Sequence, residues 1–554
     1  MDREPVKDAG LFSLLRVSAT KERYLYPFFL SLLAVVLFFP GLGARDFWAP
    51  GEPIYAEIIR VMFDKGQWVV ATVNGQLYTD KPILYFWLAL IFSKLTGEVS
   101  EWTARLPTAL GGLGLVLTTY HLGKTFYNRR TGFLAGLLLA TSSRVVWESR
   151  FVRLDTVLSF FLFLGFYLFL KTFIGGAPSA LYLVAYLCFA LATLTKGPVG
   201  LILPGFTVLC LLLLTRRWRE LRNMHLVSGG LLVAVVIIPW LLLLHVKGED
   251  QWLKDFIWIH NIQNYALKPI GHIRPFHYYL WNLPPDFLPW TILLPGALIY
   301  YYPWREHLQQ PVTLALLCWF AVIFIFFSIS KSKIAYYLLP LLPSLALFAG
   351  SYLNNLFSEE EPREIHWKCT ALLLYVLAAS MLAGGIALPF VSHRVEPDLF
   401  LWALAAALIL SIGSVGMILL LRQKKIELSF WVLIAVFASA VCISGIGLLP
   451  HLDRYKSPRA MGEFIQREIS AKAPVYIYQN TMSDFNYYAH RETIPVLRSM
   501  EALEQVSLQG QETYLLISER DLKKVRLGLL QSIVTERQVG ETKWHLAKLS
   551  GSSQ

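Results

Sequence analysis

Apolar runs of roughly 17–25 residues, each long enough to cross a bilayer, recur along most of the chain. They fall at about 25–44, 103–123, 131–148, 156–174, 180–195, 198–215, 226–246, 286–303, 311–329, 335–353, 369–391, 398–421 and 429–450, which predicts thirteen transmembrane helices. The first follows a basic stretch and precedes Gly41-Leu-Gly-Ala44, a pattern shared with signal peptides, but twelve further spans favour an uncleaved anchor. The polar connections between the runs set the orientation. Short basic loops at 124–130, 215–222 and 422–425 fall on one side together with the basic N-terminus, and Lys/Arg excess marks the cytoplasmic side. An odd number of spans then carries the C-terminus out; in a Gram-negative cell that compartment is the periplasm.

Two long connections, 45–102 and 247–285, lie on the outer side in this topology. The first contains a shorter apolar run at 83–95, better suited to the interface than to a crossing. After residue 450 the pattern changes: 26 of the last 104 residues are charged, against 62 in the preceding 450. Within this tail, 474–478 and 514–518 read as strands and 457–470 and 521–532 as helices. The expected organisation is a cytoplasmic N-terminus at 1–24, a membrane domain at 25–450 and a small soluble α/β periplasmic domain at 451–554. No internal repeat or low-complexity tract is evident.

Composition agrees and excludes other classes. Hydrophobic residues make up 55% of the chain and charged residues 16%, with a mean hydropathy of +0.49. A soluble enzyme, a disordered protein and a disulfide scaffold are excluded. The 14% aromatic content suits two membrane interfaces. A net charge of +12 would suggest nucleic acid in a soluble chain; here it reflects cytoplasmic loops, and no nucleic-acid partner is expected. Cys188, Cys210, Cys318, Cys369 and Cys442 show no paired or metal-ligand spacing.

An ionisable group at a span end is usually solvated or snorkelling. The functional reading gains weight because many such groups fall on the outer face: Asp46, Glu52 and Glu57; Asp80 and Lys81; Arg150, Arg153 and Asp155; Lys196; His260, His272 and His277; and Lys331, Lys333 and Tyr337. Converging Lys and Arg neutralise a phosphate. Carboxylates beside them can orient sugar hydroxyls, hold a metal or accept a proton. A polyprenyl-phosphate sugar combines a lipid tail, an anionic headgroup and a polar cargo, and fits such a cluster.

Seven motifs in order carry a resemblance. They are Arg45-Asp-Phe-Trp-Ala-Pro-Gly-Glu-Pro-Ile-Tyr-Ala-Glu57, Tyr78-Thr-Asp-Lys-Pro82, Arg153-Leu-Asp155, Leu194-Thr-Lys-Gly197, His260-Asn-Ile-Gln-Asn-Tyr265, His272-Ile-Arg-Pro-Phe-His-Tyr-Tyr279 and Ser330-Lys-Ser-Lys-Ile-Ala-Tyr-Tyr-Leu-Leu-Pro340. Together they resemble the bacterial aminoarabinose transferases, GT-C membrane glycosyltransferases related to protein O-mannosyltransferases. The resemblance implies a multi-pass, all-α inner-membrane enzyme with a periplasmic active site. It implies transfer of a sugar, 4-amino-4-deoxy-L-arabinose, from undecaprenyl phosphate to lipid A, which confers resistance to polymyxin-type peptides. By position, Lys81 would grip the donor phosphate, Asp155 would be an essential acidic residue, and Asp80 with His260 could hold a divalent metal such as zinc. Lys196 and Tyr337 would line the same cavity.

The residues themselves support related assignments. Glu52 and Asp155 are candidate catalytic carboxylates; Lys81, Arg153 and Lys196 are candidate phosphate ligands; Tyr55, Lys333 and Tyr337 are candidate cavity residues. Against these stand a loop-shaping role for the carboxylates, headgroup anchoring for the lysines and the aromatic belt for the tyrosines. The chain departs from the family at three positions: Gly51 stands where Asp usually precedes Glu, and Ile54 and Asn264 stand where Arg is common. Either Glu52 has taken over the acidic role, or the acceptor differs, or activity is lost. A related enzyme using another sugar or acceptor is the alternative within this class. A lipid-linked-substrate transporter is the alternative outside it, and would be expected to show inverted repeats and mid-membrane charges.

Overall fold

The computed structural model describes residues 19–263, 265, 272–302, 304–358, 364–480, 484–508 and 511–550. Helices occupy the apolar runs and parts of the connections: α1 (Ala19–Phe38), α2 (Glu52–Asp64), α3 (Leu84–Thr96), α4 (Glu101–Phe126), α5 (Arg129–Ala140), α6 (Ser143–Glu148), α7 (Leu154–Phe173), α8 (Ala180–Lys196), α9 (Val199–Thr215), α10 (Leu226–Val246), α11 (Tyr278–Asp286), α12 (Pro311–Ile329), α13 (Leu342–Ser358), α14 (Glu364–Val395), α15 (Phe400–Arg422) and α16 (Ile426–Ile443). Among the described residues, seven helical segments are long and apolar enough to cross a membrane: α7, α10, α12, α14, and the segments containing α13, α15 and α16.

Three expected spans are broken, each for a local reason. The run 131–148 divides into α5 and α6 because the Thr141 and Ser142 hydroxyls donate to the Leu137 and Leu138 carbonyls, at 2.6 and 2.7 Å, and close the helix end. The run 286–303 contains a 3₁₀ turn, Trp290–Leu293, and a short helix, Leu294–Tyr300, where Pro289 and Pro295 remove backbone donors. The run 335–353 opens as a 3₁₀ turn, Ala335–Leu341, whose Pro340 carbonyl accepts the Trp319 indole N–H at 2.8 Å. The run at 83–95 forms α3, a helix shorter than a full crossing.

The membrane core is built around α4, α5, α7 and α13. Helices α4 and α5 touch through glycines: a Cβ on Gly123 would lie 2.6 Å from Gly132 Cα, so neither position accepts a side chain without separating them. At one face, Arg130 reaches Ser358 at 3.1 Å and Glu427 at 3.9 Å, so the ends of α5, α13 and α16 meet there. The opposite face carries the long connections and the C-terminal sheet.

That sheet contains β3 (Val475–Tyr478), β4 (Val496–Leu497), β5 (Tyr514–Ser518), β6 (Leu530–Val539) and β7 (Thr542–Leu549), in the order β4-β3-β5-β7-β6; the strands β1 (Thr72–Val73) and β2 (Gln76–Leu77) form a separate hairpin in the first connection. β3 runs parallel to β4 and β5, and β7 runs antiparallel to β5 and β6. The expected strands at 474–478 and 514–518 are β3 and β5, and the helix expected at 457–470 is Arg459–Glu468. The helix expected at 521–532 is absent. One turn, Glu519–Leu522, precedes the short 3₁₀ turn Leu527–Leu529, and the chain then enters β6. The β-branched Ile533, Val534 and Thr535 favour a strand, and β7, folding back across Gly540 (φ +65°), supplies its ladder.

The C-terminal domain sits on the first connection. The Phe47 N–H donates to Tyr488 Oη at 2.8 Å, Arg459 pairs with Asp46 at 2.8 Å, and the Trp48 indole donates to Asp453 at 2.6 Å.

Candidate functional site

Glu52 opens α2 and is only 1% exposed. Its carboxylate accepts from Arg45 Nη1 at 2.9 Å, Arg105 Nε and Nη2 at 2.9 and 3.0 Å, and the Trp48 and Val152 N–H groups at 3.0 and 2.8 Å. Arg105, fully buried inside α4, also donates to the carbonyls of Leu42, Arg45 and Asp46 at 2.5–2.7 Å. Burial alone would raise the Glu52 pKa, but Arg105 and Arg45 outweigh it and hold the carboxyl far below the usual range. Glu52 is thus an anion saturated by donors from two arginines and two backbone amides. It ties the first connection to the 148–155 segment that carries Arg153 and Asp155.

The second group forms a cavity lined by Asp80, Lys81, Lys196, Phe256, His260 and Tyr337, among others. Lys81 Nζ lies 2.7 Å from Asp80 Oδ2, and His260 Nδ1 lies 3.2 Å from Asp80 Oδ1. Burial opposes both charges, yet the pairing prevails: Lys81 holds Asp80 well below the carboxylate range, and Asp80 holds Lys81 above the usual lysine value. Asp155, in the first turn of α7, forms an ion pair with Lys196 at the end of α8. The Lys196 ammonium lies 4.2 Å from the Tyr337 ring centroid and 5.5 Å from that of Tyr336. Arg153 covers Tyr336 at 5.1 Å and approaches Glu148 at 3.6 Å. Tyr55, one helical turn beyond Glu52, packs edge-on to Tyr78 at 6.4 Å, and Tyr78 donates to Asp80 at 3.3 Å.

The structure therefore brings together Lys81, Asp80, His260, Tyr55, Asp155, Lys196, Tyr337 and Arg153. It does not bring in two of the expected residues. Glu52 stands behind the site in its own buried network, and Lys333 lines a neighbouring cavity, where its ammonium donates to the Ser330 and Arg274 carbonyls. At Gly51, φ is +110° and a Cβ would point toward Arg153 Nη1 at 3.9 Å; there is room for a side chain, but the backbone favours glycine. Asn264 lies outside the described residues. Sequence reasoning missed Arg105, whose signal was a guanidinium inside an apolar run, and Tyr336, adjacent to a residue it did select.

Asp80 and His260 do not make a convincing metal centre. They supply two ligands where catalytic zinc usually has three from protein, and Lys81 occupies the same carboxylate. Among the described residues, no group of three or more His, Cys, Asp or Glu could hold an ion.

The C-terminal domain adds a buried carboxyl. Asp484, 7% exposed, accepts the Gly51 N–H, and its Oδ1 has no hydrogen-bond partner among the described residues. Burial pushes its pKa up to about 6, against the opposite pull of the Gly51 N–H. A carboxyl raised in the folded state favours folding while protonated, so stability falls as pH rises from about 4 to about 6. Asp484→Asn, which keeps an acceptor for Gly51, is expected to stabilise the purified protein by about 3 kcal/mol at pH 8 and negligibly below pH 4. Apparent Tm values across that range check this; an equal shift at both ends contradicts it.

With this geometry in view, the comparisons are specific. The family model described as dolichyl-phosphate-mannose-protein mannosyltransferase matches residues 80–243, a stretch containing Lys81, Asp155 and Lys196. The undecaprenyl phosphate-alpha-4-amino-4-deoxy-L-arabinose arabinosyl transferase of Aeromonas salmonicida is 31% identical over 395 residues, covering 69% of this chain and 70% of that protein. The protein of the same name from Pectobacterium carotovorum is 32% identical, covering 66% of each chain. The crystal structure of ArnT from Cupriavidus metallidurans bound to undecaprenyl phosphate superposes with a TM-score of 0.77, at 22% identity, over 96% of this chain and 98% of that one, and so shares the fold. By sequence over two thirds of its length, the chain belongs to the undecaprenyl phosphate-alpha-4-amino-4-deoxy-L-arabinose arabinosyl transferase family of membrane glycosyltransferases.

Proposed function

We propose that the chain moves 4-amino-4-deoxy-L-arabinose from undecaprenyl phosphate to a phosphate of lipid A, at the periplasmic face of the bacterial inner membrane. The observation that carries this reading is the Lys81 cavity, lined by Lys81, Lys196 and Tyr337 at the ends of apolar helices, with Tyr336 beside Lys196. Lys81 and Lys196 are suited to the phosphate of a lipid-linked donor, Arg153 to its developing charge, and Tyr55 and Tyr337 to the sugar.

The chemistry needs little more. A phosphate oxygen of the acceptor bonds to the anomeric carbon as the bond from that carbon to the carrier phosphate breaks, with inversion. The bonding electrons leave with undecaprenyl phosphate, whose charge rises from about −1 to about −2. Preorganised cations stabilise that change. A phosphate acceptor is largely ionised at neutral pH, with a second pKa of about 6, and needs no strong base. Such a reaction tolerates a locked Glu52 and a glycine at position 51, whereas a hydroxyl acceptor would forgo about 10²–10⁴-fold from a positioned base.

The test is the lipid A mass spectrum of cells that make the donor but lack their own transferase. A gain of one aminoarabinose on expressing this chain, lost with Asp155→Ala, is expected. An unchanged spectrum, with folded protein in the membrane, overturns this donor and acceptor and favours the alternative sugar or acceptor left open by Gly51.

A further inference from the structure

Glu148 is the last residue of α6 and is 1% exposed. Its two carboxylate oxygens face two guanidinium groups. Oε1 accepts from Arg144 Nη1, one turn back in the same helix, at 3.0 Å. Oε2 lies 3.6 Å from Arg153 Nε, and both of these atoms are buried with no hydrogen-bond partner among the described residues. A pair four residues apart on one helix is ordinary and uses Oε1 alone. It does not account for the second oxygen. Leaving a buried polar atom unmade is costly, and these two stand a small shift away from a charge-assisted hydrogen bond. Among the described residues, Glu148 is also the one carboxylate within 4 Å of Arg153.

The carboxylate is itself held. Asp286, 3% exposed, accepts from Arg144 Nε at 2.8 Å, and Ser143 donates its N–H to the Leu288 carbonyl at 2.8 Å and its hydroxyl to the Pro285 carbonyl at 2.6 Å. These contacts tie α6 to the end of α11. On the other side, Arg153 reaches the Lys81 cavity across Tyr336, whose ring centroid lies 5.1 Å from the guanidinium and 5.5 Å from the Lys196 ammonium. A Cβ at Gly51 would lie 3.9 Å from Arg153 Nη1, so the glycine leaves that terminal nitrogen uncovered. We propose that Glu148 is a positioning residue for sugar transfer: it takes the Nε edge of Arg153 while Tyr336 takes the face, and so aims the terminal nitrogens at the phosphate of the lipid carrier. This deepens the function proposed above and rests on the role given there to Arg153. The role requires a carboxylate, because both oxygens face N–H donors. The amide of a glutamine would set its own N–H₂ against one of the two guanidiniums. What the contact supplies is a cation already in place before charge develops.

A double-mutant cycle on the purified full chain tests this without turnover. Undecaprenyl phosphate is titrated, with no sugar present, into wild type, Glu148→Gln, Arg153→Gln and the double variant, and binding is read by native mass spectrometry. Apparent Tm values select the variants that remain folded. Glu148→Gln is expected to weaken binding at least about threefold when Arg153 is present, the scale of coupling between residues in contact. It is expected to change little when Arg153 is already glutamine. Undecaprenol, which lacks the phosphate, is expected to bind all four proteins alike. Equal losses in both backgrounds overturn the proposal, because a purely structural effect through Arg144 and Asp286 does not need Arg153. No loss in the wild-type background also overturns it, as does undecaprenol binding with the same dependence. Undecaprenyl phosphate binding untouched by Arg153→Gln removes Arg153 from the phosphate, and Glu148 with it. Because binding is read without transfer, the expected coupling in a chain that moves no aminoarabinose counts against the sugar assignment and leaves Glu148 in its role.

Discussion

Lys81→Ala is expected to cut sugar transfer by roughly 10²–10³-fold, the scale of losing one preorganised group that stabilises transition-state charge. Lys81 Nζ is held 2.7 Å from Asp80, which keeps it protonated throughout the working pH range. Its position therefore costs little reorganisation when charge builds on the carrier phosphate. Lys81→Arg keeps the charge but changes a compact donor into a planar fork, and is expected to restore only part of the rate. Initial rates at saturating and limiting donor separate the contributions: kcat should fall more than donor affinity. An unchanged kcat in Lys81→Ala would remove Lys81 from the chemistry.

Glu52→Gln is expected to act in the opposite way, on the fold before the chemistry. The substitution leaves Arg45 and Arg105, 3% and 0% exposed, without their shared anion. Breaking a buried ion network by removing one partner typically costs about 3–5 kcal/mol. Thermal unfolding of the purified protein should show that loss, together with displacement of the 148–155 segment. The pH dependence has a defined sign. The depressed Glu52 pKa stabilises the fold above the ordinary glutamate value of about 4.3, and that contribution is lost as pH falls toward the folded value. A normally stable Glu52→Gln protein with reduced kcat would instead return Glu52 to a catalytic role.

The sequence made much of the site legible because charge is rare in this chain. Lys81, Asp155 and Lys196 stand out as ionisable groups at the ends of apolar runs, and their grouping on one face follows from counting spans. Pairing was harder to read. Arg105 lies 53 residues from Glu52, and nothing local announces that the two meet and hold Glu52 as a buried, paired anion. Lys333 and Tyr337 belong to one motif, Ser330–Pro340, but the bridge at Ile273–Ser332 turns Lys333 into the next cavity. In the tail, β3 and β5 are short apolar runs visible in isolation. β6 is polar over much of its length and becomes a strand only through β7, a partner that periodicity within 521–532 does not contain. The broken spans at 141 and 289 were hidden by hydropathy, which averages over the hydroxyls and prolines that interrupt them.

Direct transfer at the Lys81 cavity is measured most plainly with the purified chain, lipid-linked aminoarabinose and lipid A. The products to count are undecaprenyl phosphate released and sugar gained by the acceptor. One carrier phosphate is expected to be freed per sugar transferred, at a rate that collapses in Lys81→Ala while the variant remains folded. Sugar transferred equally well without Lys81, or carrier released with no sugar on the acceptor phosphate, would contradict it.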